Sequence, residues 1–338
     1  MTPLAGRRIL LIGIGFYDYE AAIAAEFRLL GAEVLVENEQ PPAARGARRW
    51  WRSNPEHAVS DHHAALLDLA HAAGPLDDVV IIKGATLDED FLKALRAAQP
   101  GARLIAYHWD SMARFPDLIQ RQALFDRVLT FDHADAAAHA SFHLRPLFFR
   151  PELRVPHPAD DSIDLCFVGW LHHDRLAQVE AIRDQAEALG LSTFFYLSTG
   201  LRTWARLRLA GRGRDVHARA IGFAEYVRAT ARARAIVDLP HPQQTGLTMR
   251  AVEAIGAGKK LLTTARDIGI YAGVALDDVN ILNPDRPVID PSFLDAPTSP
   301  APARAVERYS LRAWALDVLG VTEPGLFLNA QSDGRIAS

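Results

Sequence analysis

RRILLIGIGFYDYEAAI, Arg7–Ile23, joins an unbroken apolar run to a glycine turn and the start of a helical pattern. A short apolar run closed by glycine reads as a strand covered on both faces, which belongs in a parallel sheet. Gly13-Ile14-Gly15 opens a dinucleotide-binding fingerprint, which also needs a third small residue and an acid some twenty residues on. Asp18 stands in the third position, flanked by Tyr17 and Tyr19. A carboxylate there meets the pyrophosphate it is supposed to admit. Glu37 and Glu39 supply the later acid only loosely, so the turn is not read as an NAD site. An acidic, aromatic turn after the first strand needs another purpose.

Working outward, the same alternation continues. AEVLVEN (32–38), DDVVIIKG (77–84), ARLIAYHWD (102–110) and DRVLTFD (126–132) read as strands, separated by helical stretches. Those stretches are YEAAIAAEFRLLG, DHHAALLDLAHAAG, DEDFLKALRAAQPG, FPDLIQRQALF and the short HADAAAHAS. FFRPELRVPHPADDSID (148–164) interrupts the pattern with prolines and charges and reads as a linker. A second series follows: IDLCFVGW, STFFYLS, RAIVDLP and KKLLTT as strands, with RLAQVEAIRDQAEALG, FAEYVRATARA and LTMRAVEAIGAG as helices. Strands alternating with helices twice over predict an α/β protein of two Rossmann-like domains, 1–152 and 162–305. The two are expected to face each other across a cleft, since ligands of open α/β sheets bind outside the carboxyl ends of the strands. AVERYSLRAWALDVLG (305–320) predicts one amphipathic helix, within a segment 306–322 that crosses back to the first domain.

Bulk properties agree. The chain has 338 residues, 49% of them hydrophobic, and a formal net charge of -4. That length suits two domains of common size, and the charge argues against nucleic acid as a partner. The single cysteine, Cys166, excludes internal disulfides and suits the cytoplasm. Its apolar setting makes it a small buried residue rather than a nucleophile. No apolar run reaches membrane-spanning length. The expected location is cytoplasmic, with the inner face of the membrane within reach.

The segment richest in chemistry is HPQQTGLTMRAVEAIGAGKKLLTT, His241–Thr264. A strand ends at Pro240 and a helix opens near Thr248. Gly246 permits close approach of a ligand to the backbone, and the free N–H groups that follow lie at the positive helix end. Arg250 in the first turn suits a phosphate. Glu253, three residues on, suits the two hydroxyls of a ribose. In FVGWLHHDR (167–175), Gly169 ends a strand, and His172, His173, Asp174 and Arg175 crowd the turn after it. Adjacent histidines point different ways, so a diphosphate on Arg175 is preferred to a metal there.

These pieces resemble the GT-B-fold bacterial glycosyltransferases, closest to the group of CgeB-like spore proteins and lipopolysaccharide-core and capsule transferases. The resemblance rests on the glycine, the Met-Arg pair, the helix glutamate and the strand GKKLLTT. YHWDS (107–111), LTFD (129–132), PLFF (146–149), FVGWLHHDR and YSLRAW (309–314) extend it along nearly the whole chain, although residues 200–222 match nothing. It implies that Glu253 binds the donor ribose, and that Arg250 and Arg175 bind its phosphates, with Gly246, Thr248, Gly169 and His173 beside them. Retaining members carry a second glutamate eight residues earlier, where this chain has Thr245.

The expected activity is hexosyl- or deoxyhexosyl-type transfer from a nucleotide-sugar donor to a cell-surface glycan or lipid-linked acceptor. The loops of the first domain then hold the acceptor, with Asp18 or Asp110 as base, His108 behind Asp110, and Tyr17, Tyr19 and Lys83 as acceptor contacts. No cofactor is expected beyond the nucleotide sugar. No metal is demanded, because arginines and a helix end carry the charge and no Asp-x-Asp triplet stands at a strand end. A sugar-nucleotide epimerase and a non-catalytic nucleotide-sugar-binding protein are the rival readings. ARGARRWWRS (44–53) and RTWARLRLAGRGR (202–214) mix arginine with apolar side chains and suggest peripheral contact with anionic lipid.

Overall fold

The computed structural model describes residues 2–15, 18–41, 55–154, 162–172, 175–284, 286–299, 303–322 and 327–329, without the side chains of 55–58. The chain forms two compact units. One comprises Met1–Leu147 with Gln243–Gly246 and Leu311–Gly325, and the other Phe148–Pro242 with Leu247–Ser310 and Leu326–Ser338.

In the first unit β1 (Arg8–Gly13), α1 (Tyr19–Leu29), β2 (Glu33–Asn38), α2 (Pro55–Ala72), β3 (Asp78–Ile82), α3 (Glu89–Ala98), β4 (Arg103–His108), β5 (Arg127–Thr130), α4 (His133–Ala138) and β6 (Phe142–Leu144) follow in turn. Their sheet is wholly parallel, in the order β2-β1-β3-β4-β5-β6. The apolar runs are strands because both faces are covered: Leu10, Ile12, Val79, Ile81 and Leu104 join one core with Phe91, Leu92 and Leu95. Asp88 caps α3 by accepting from the Phe91 N–H at 2.7 Å. FPDLIQRQALF, expected as an α-helix, is a 3-10 helix over Pro116–Leu124.

The second unit holds β7 (Ile163–Trp170), α5 (Arg175–Ala188), β8 (Thr193–Ser198), α6 (Leu201–Leu209), β9 (Val216–His217), α7 (Phe223–Arg232), β10 (Ala233–Asp238), α8 (Met249–Ala257), β11 (Lys260–Thr263), β12 (Val279–Ile281), α9 (Pro291–Asp295) and α10 (Ala303–Glu307). Its sheet runs β12-β11-β10-β7-β8-β9 and is also parallel. Leu165, Phe167, Leu197, Val237 and Leu262 of the sheet share a core with Val179 and Ile182 of α5. Cys166 lies buried in β7, and desolvation pushes its thiol up to about 12, which keeps it protonated.

The expected single helix over 305–320 is two. α10 stops at Glu307, and α11 (Leu311–Val318) belongs to the first unit. The break has a tertiary cause. The Tyr309 carbonyl accepts from the Phe149 N–H at 2.8 Å, and the buried Tyr309 hydroxyl donates to the Ala272 carbonyl at 2.7 Å. Between the two helices the chain pairs with Phe149 in an isolated parallel bridge, which takes the backbone out of helical geometry there. In the first unit, Trp314 of α11 is fully buried, stacked near Phe27 at 6.5 Å and edge-on to Tyr107 at 4.9 Å. Asp317 joins the same interior, 3.2 Å from Arg145 and 3.4 Å from Arg127.

Candidate functional site

Strand order reverses between β1 and β3 in one sheet and between β7 and β10 in the other, and such switch points open a crevice at the carboxyl ends. At the first of them the glycine turn is already occupied from within. Glu20, in the opening turn of α1, accepts from the N–H of Ile14 at 2.9 Å and of Gly15 at 3.0 Å. A Cβ on Gly13 would lie 2.2 Å from the Glu20 side chain, so glycine is needed there for the chain's own carboxylate. The helix end that receives a pyrophosphate in dinucleotide folds holds an anion of the protein itself. Asp18 takes the N-cap position of α1 without a side-chain hydrogen bond to the helix. Tyr19 is 7% exposed, with its ring edge-on to Trp109 at 6.0 Å. Tyr17 lies outside the described residues.

At the neighbouring strand ends a charged cluster forms. Lys83, directly after β3, is the only described non-glycine residue with positive φ, at 70°. Its ammonium pairs with Asp110 at 2.8 Å and sits 4.3 Å from the centre of the Phe115 ring. Arg114 also pairs with Asp110, so that carboxylate is held by two cations. His108, at the end of β4, is 4% exposed, and neither ring nitrogen has a partner among the described residues. Burial, with Arg121 nearby, depresses it to about 4, which leaves a neutral ring. Glu39, just past β2, completes the cluster. It is 1% exposed, and burial raises it to about 7 against the pull of Lys83, of the Thr86 and Ala85 backbone N–H groups and of Arg121. Reading the sequence, Glu39 figures only as a loose ribose acid. The signal for it was its place one residue beyond a strand beside the reversal of strand order.

In the second unit the arginines are tied to strand ends. Arg175 donates to the Trp170 carbonyl at 2.9 Å and to the Leu239 carbonyl at 2.7 Å, so it straddles the ends of β7 and β10. Arg250 donates to the Val168 carbonyl at 3.0 Å, lies 3.3 Å from Asp238, and packs 4.9 Å from the centre of the Phe167 ring. A Cβ on Gly169 would come 2.9 Å from that guanidinium, so this glycine makes room for Arg250. Thr248 caps α8 by accepting from the Ala251 N–H at 3.1 Å and donates its hydroxyl to Asp238 at 2.7 Å. Glu253 is 2% exposed and accepts from the Tyr226 hydroxyl at 2.5 Å, enclosed by α7 and not open at the surface of α8. His173 lies outside the described residues.

Gly246 and Thr245 belong to the first unit. Asp132 caps α4 and accepts from the Thr245 N–H at 2.8 Å, the Gly246 N–H at 3.1 Å and the Thr245 hydroxyl. A Cβ on Gly246 would stand 2.6 Å from the Phe131 ring, so the close approach observed at this glycine is that of Phe131. Among the described residues no group of three His, Cys, Asp or Glu side chains is placed to hold a metal ion. No described helix is long and apolar enough to cross a membrane.

No family model and no curated protein matches the chain. Solved structures do. AviGT4, a glycosyltransferase involved in avilamycin A biosynthesis, is similar over 93% of this chain and 96% of its own, at 15% identity and a TM-score of 0.54. A putative UDP-N-acetylglucosamine 2-epimerase from Listeria monocytogenes is similar over 96% of this chain and 100% of its own, at 14% identity and a TM-score of 0.53. At such identities the likeness carries the fold: two Rossmann-like α/β units in one chain, of the GT-B class.

Proposed function

We propose that the protein is a glycosyltransferase that moves a hexosyl-type sugar from a nucleotide-sugar donor to a cell-surface glycan or lipid-linked acceptor. The observation that carries this reading is the pair of arginines at the switch point of the second sheet. Arg175 reaches the carbonyls that end β7 and β10, and Arg250 reaches the Val168 carbonyl and Asp238, so both guanidiniums stand at these strand ends beside the N-terminal end of α8. A diphosphate offers these guanidiniums charge-assisted hydrogen bonds beyond those to the carbonyls. Stabilising the departing diphosphate there requires no metal. Glu253 serves the donor ribose once Tyr226 releases it, with Thr248, Gly169, Gly246 and His173 around the donor. On the acceptor side, Asp18 or Asp110 takes the hydroxyl proton, with His108 behind Asp110 and Tyr17, Tyr19 and Lys83 as sugar contacts.

The test is thermal stabilisation by UDP-, GDP-, dTDP-, ADP- and CMP-sugars, with NAD and NADP as controls. A rise with one nucleotide class, lost in Arg175→Ala and Arg250→Ala, is expected. A rise with NAD alone overturns the reading. The similarity to a putative UDP-N-acetylglucosamine 2-epimerase favours a second reading, which release of UDP and an isomerised sugar without any acceptor would establish.

A further inference from the structure

Helix α6 faces two ways. Trp204 and Leu207, three residues apart, lie on one side and pack against the core of the second unit, so the helix is fixed in place. The opposite side carries Leu201, Arg202, Ala205, Arg206 and Leu209, spaced i, i+1, i+4, i+5 and i+8. Leu201 is 67% and Leu209 91% exposed, and Arg202 and Arg206 are exposed between them. Arg208 is exposed on the flank, and among the described residues its guanidinium reaches only the Arg214 carbonyl, at 3.3 Å. The arginines beyond the helix are compensated: Arg212 meets Glu180 at 2.9 Å and Arg214 meets Glu187 at 2.7 Å. Among the described residues no carboxylate pairs with Arg202, Arg206 or Arg208.

A single exposed leucine needs no account, but this stripe combines three features. Its leucines are two turns apart, about 12 Å along the axis, and so reach one plane. Its arginines are uncompensated in a chain of net charge -4. Its apolar strip, Leu201, Ala205 and Leu209, is bordered by the arginines, and at a lipid interface apolar side chains enter while the charged heads of neighbouring arginines stay at headgroup level. We propose that α6 docks the second unit on an anionic lipid surface. Leu201 and Leu209 enter the boundary between headgroups and acyl chains, and Arg202, Arg206 and Arg208 meet lipid phosphates, which the guanidinium fork suits. A nucleic acid supplies the phosphates but no apolar layer for the leucines, so lipid is the partner that uses the whole stripe. With three charges and two leucines the docking is weak and reversible, and it weakens with salt. The inference does not depend on which reaction the protein performs.

Flotation with vesicles of phosphatidylcholine, with and without phosphatidylglycerol, tests it on the full chain. The wild type floats with the anionic vesicles at low salt and not with phosphatidylcholine alone. Arg202→Glu with Arg206→Glu lowers the bound fraction by about tenfold or more. Leu201→Ser with Leu209→Ser lowers it comparably, and Arg202→Lys with Arg206→Lys retains most of it. The four positions are exposed, so unchanged circular dichroism and melting are expected in every variant. The proposal is overturned by the absence of flotation with anionic vesicles at low salt, or by flotation that both double variants retain. Binding to a DNA duplex that matches the vesicles and ignores the leucine variants overturns it equally.

Discussion

Glu39 has a carboxyl group enclosed beside a lysine and an arginine, neither of which closes on it in a salt bridge among the described residues. Burial raises it from 4.5 to about 7, so it binds its proton more tightly folded than unfolded. The stability this confers is complete below pH 4.5, falls as the unfolded chain alone loses the proton, and is gone above about 7. The span is roughly 3 kcal/mol at most. Urea unfolding of the wild type and Glu39→Gln at pH 5 and pH 8 reads it directly. The wild type is expected to lose stability between the two, and the variant to lose less. Parallel pH slopes in the two proteins would show that water reaches the carboxylate.

The α11 helix depends on Trp314, which has no exposed surface and fills the space between Phe27 and Tyr107. Trp314→Ala is expected to cost about 3–5 kcal/mol, read as a lower denaturant midpoint. A loss below about 1 kcal/mol would mean that the site collapses around the missing ring. The same helix shows what the sequence conveys and what it withholds. Long strands such as β1 and β7 are legible because a continuous apolar run has few other uses. The apolar period through Tyr309 looks equally unbroken, yet the helix ends where the backbone pairs with Phe149. β6 and β12 have three residues each, too few for a period to register, and α6 turns only Trp204 and Leu207 inward. The places of some candidate residues in the fold were similarly legible. Lys83, Asp110, Arg175 and Arg250 stand at strand ends or helix starts where a pattern places them. Their partners were not, because Glu20 on the turn amides, Tyr226 on Glu253 and Phe131 against Gly246 are set by how helices and loops pack.

Taken whole, the chain divides its first unit between its two ends, with β1 to β6 before residue 148 and α11 after residue 310. A chain cut after Ala305 keeps every strand but loses Trp314 and Asp317, leaving Tyr107 and Phe27 uncovered and Arg145 without its buried carboxylate. Such a chain is expected to show fast amide exchange in β1 and β4 while β7 and β10 remain protected. Equal protection in both sheets would show that the first unit closes without its last helix. The division also sets a schedule on the ribosome. The first sheet leaves the exit tunnel long before α11 exists, roughly 10–30 s earlier at ordinary elongation rates. Through that interval the nascent chain displays the slot meant for Trp314, and a binder of exposed aromatic surface has its longest opportunity there.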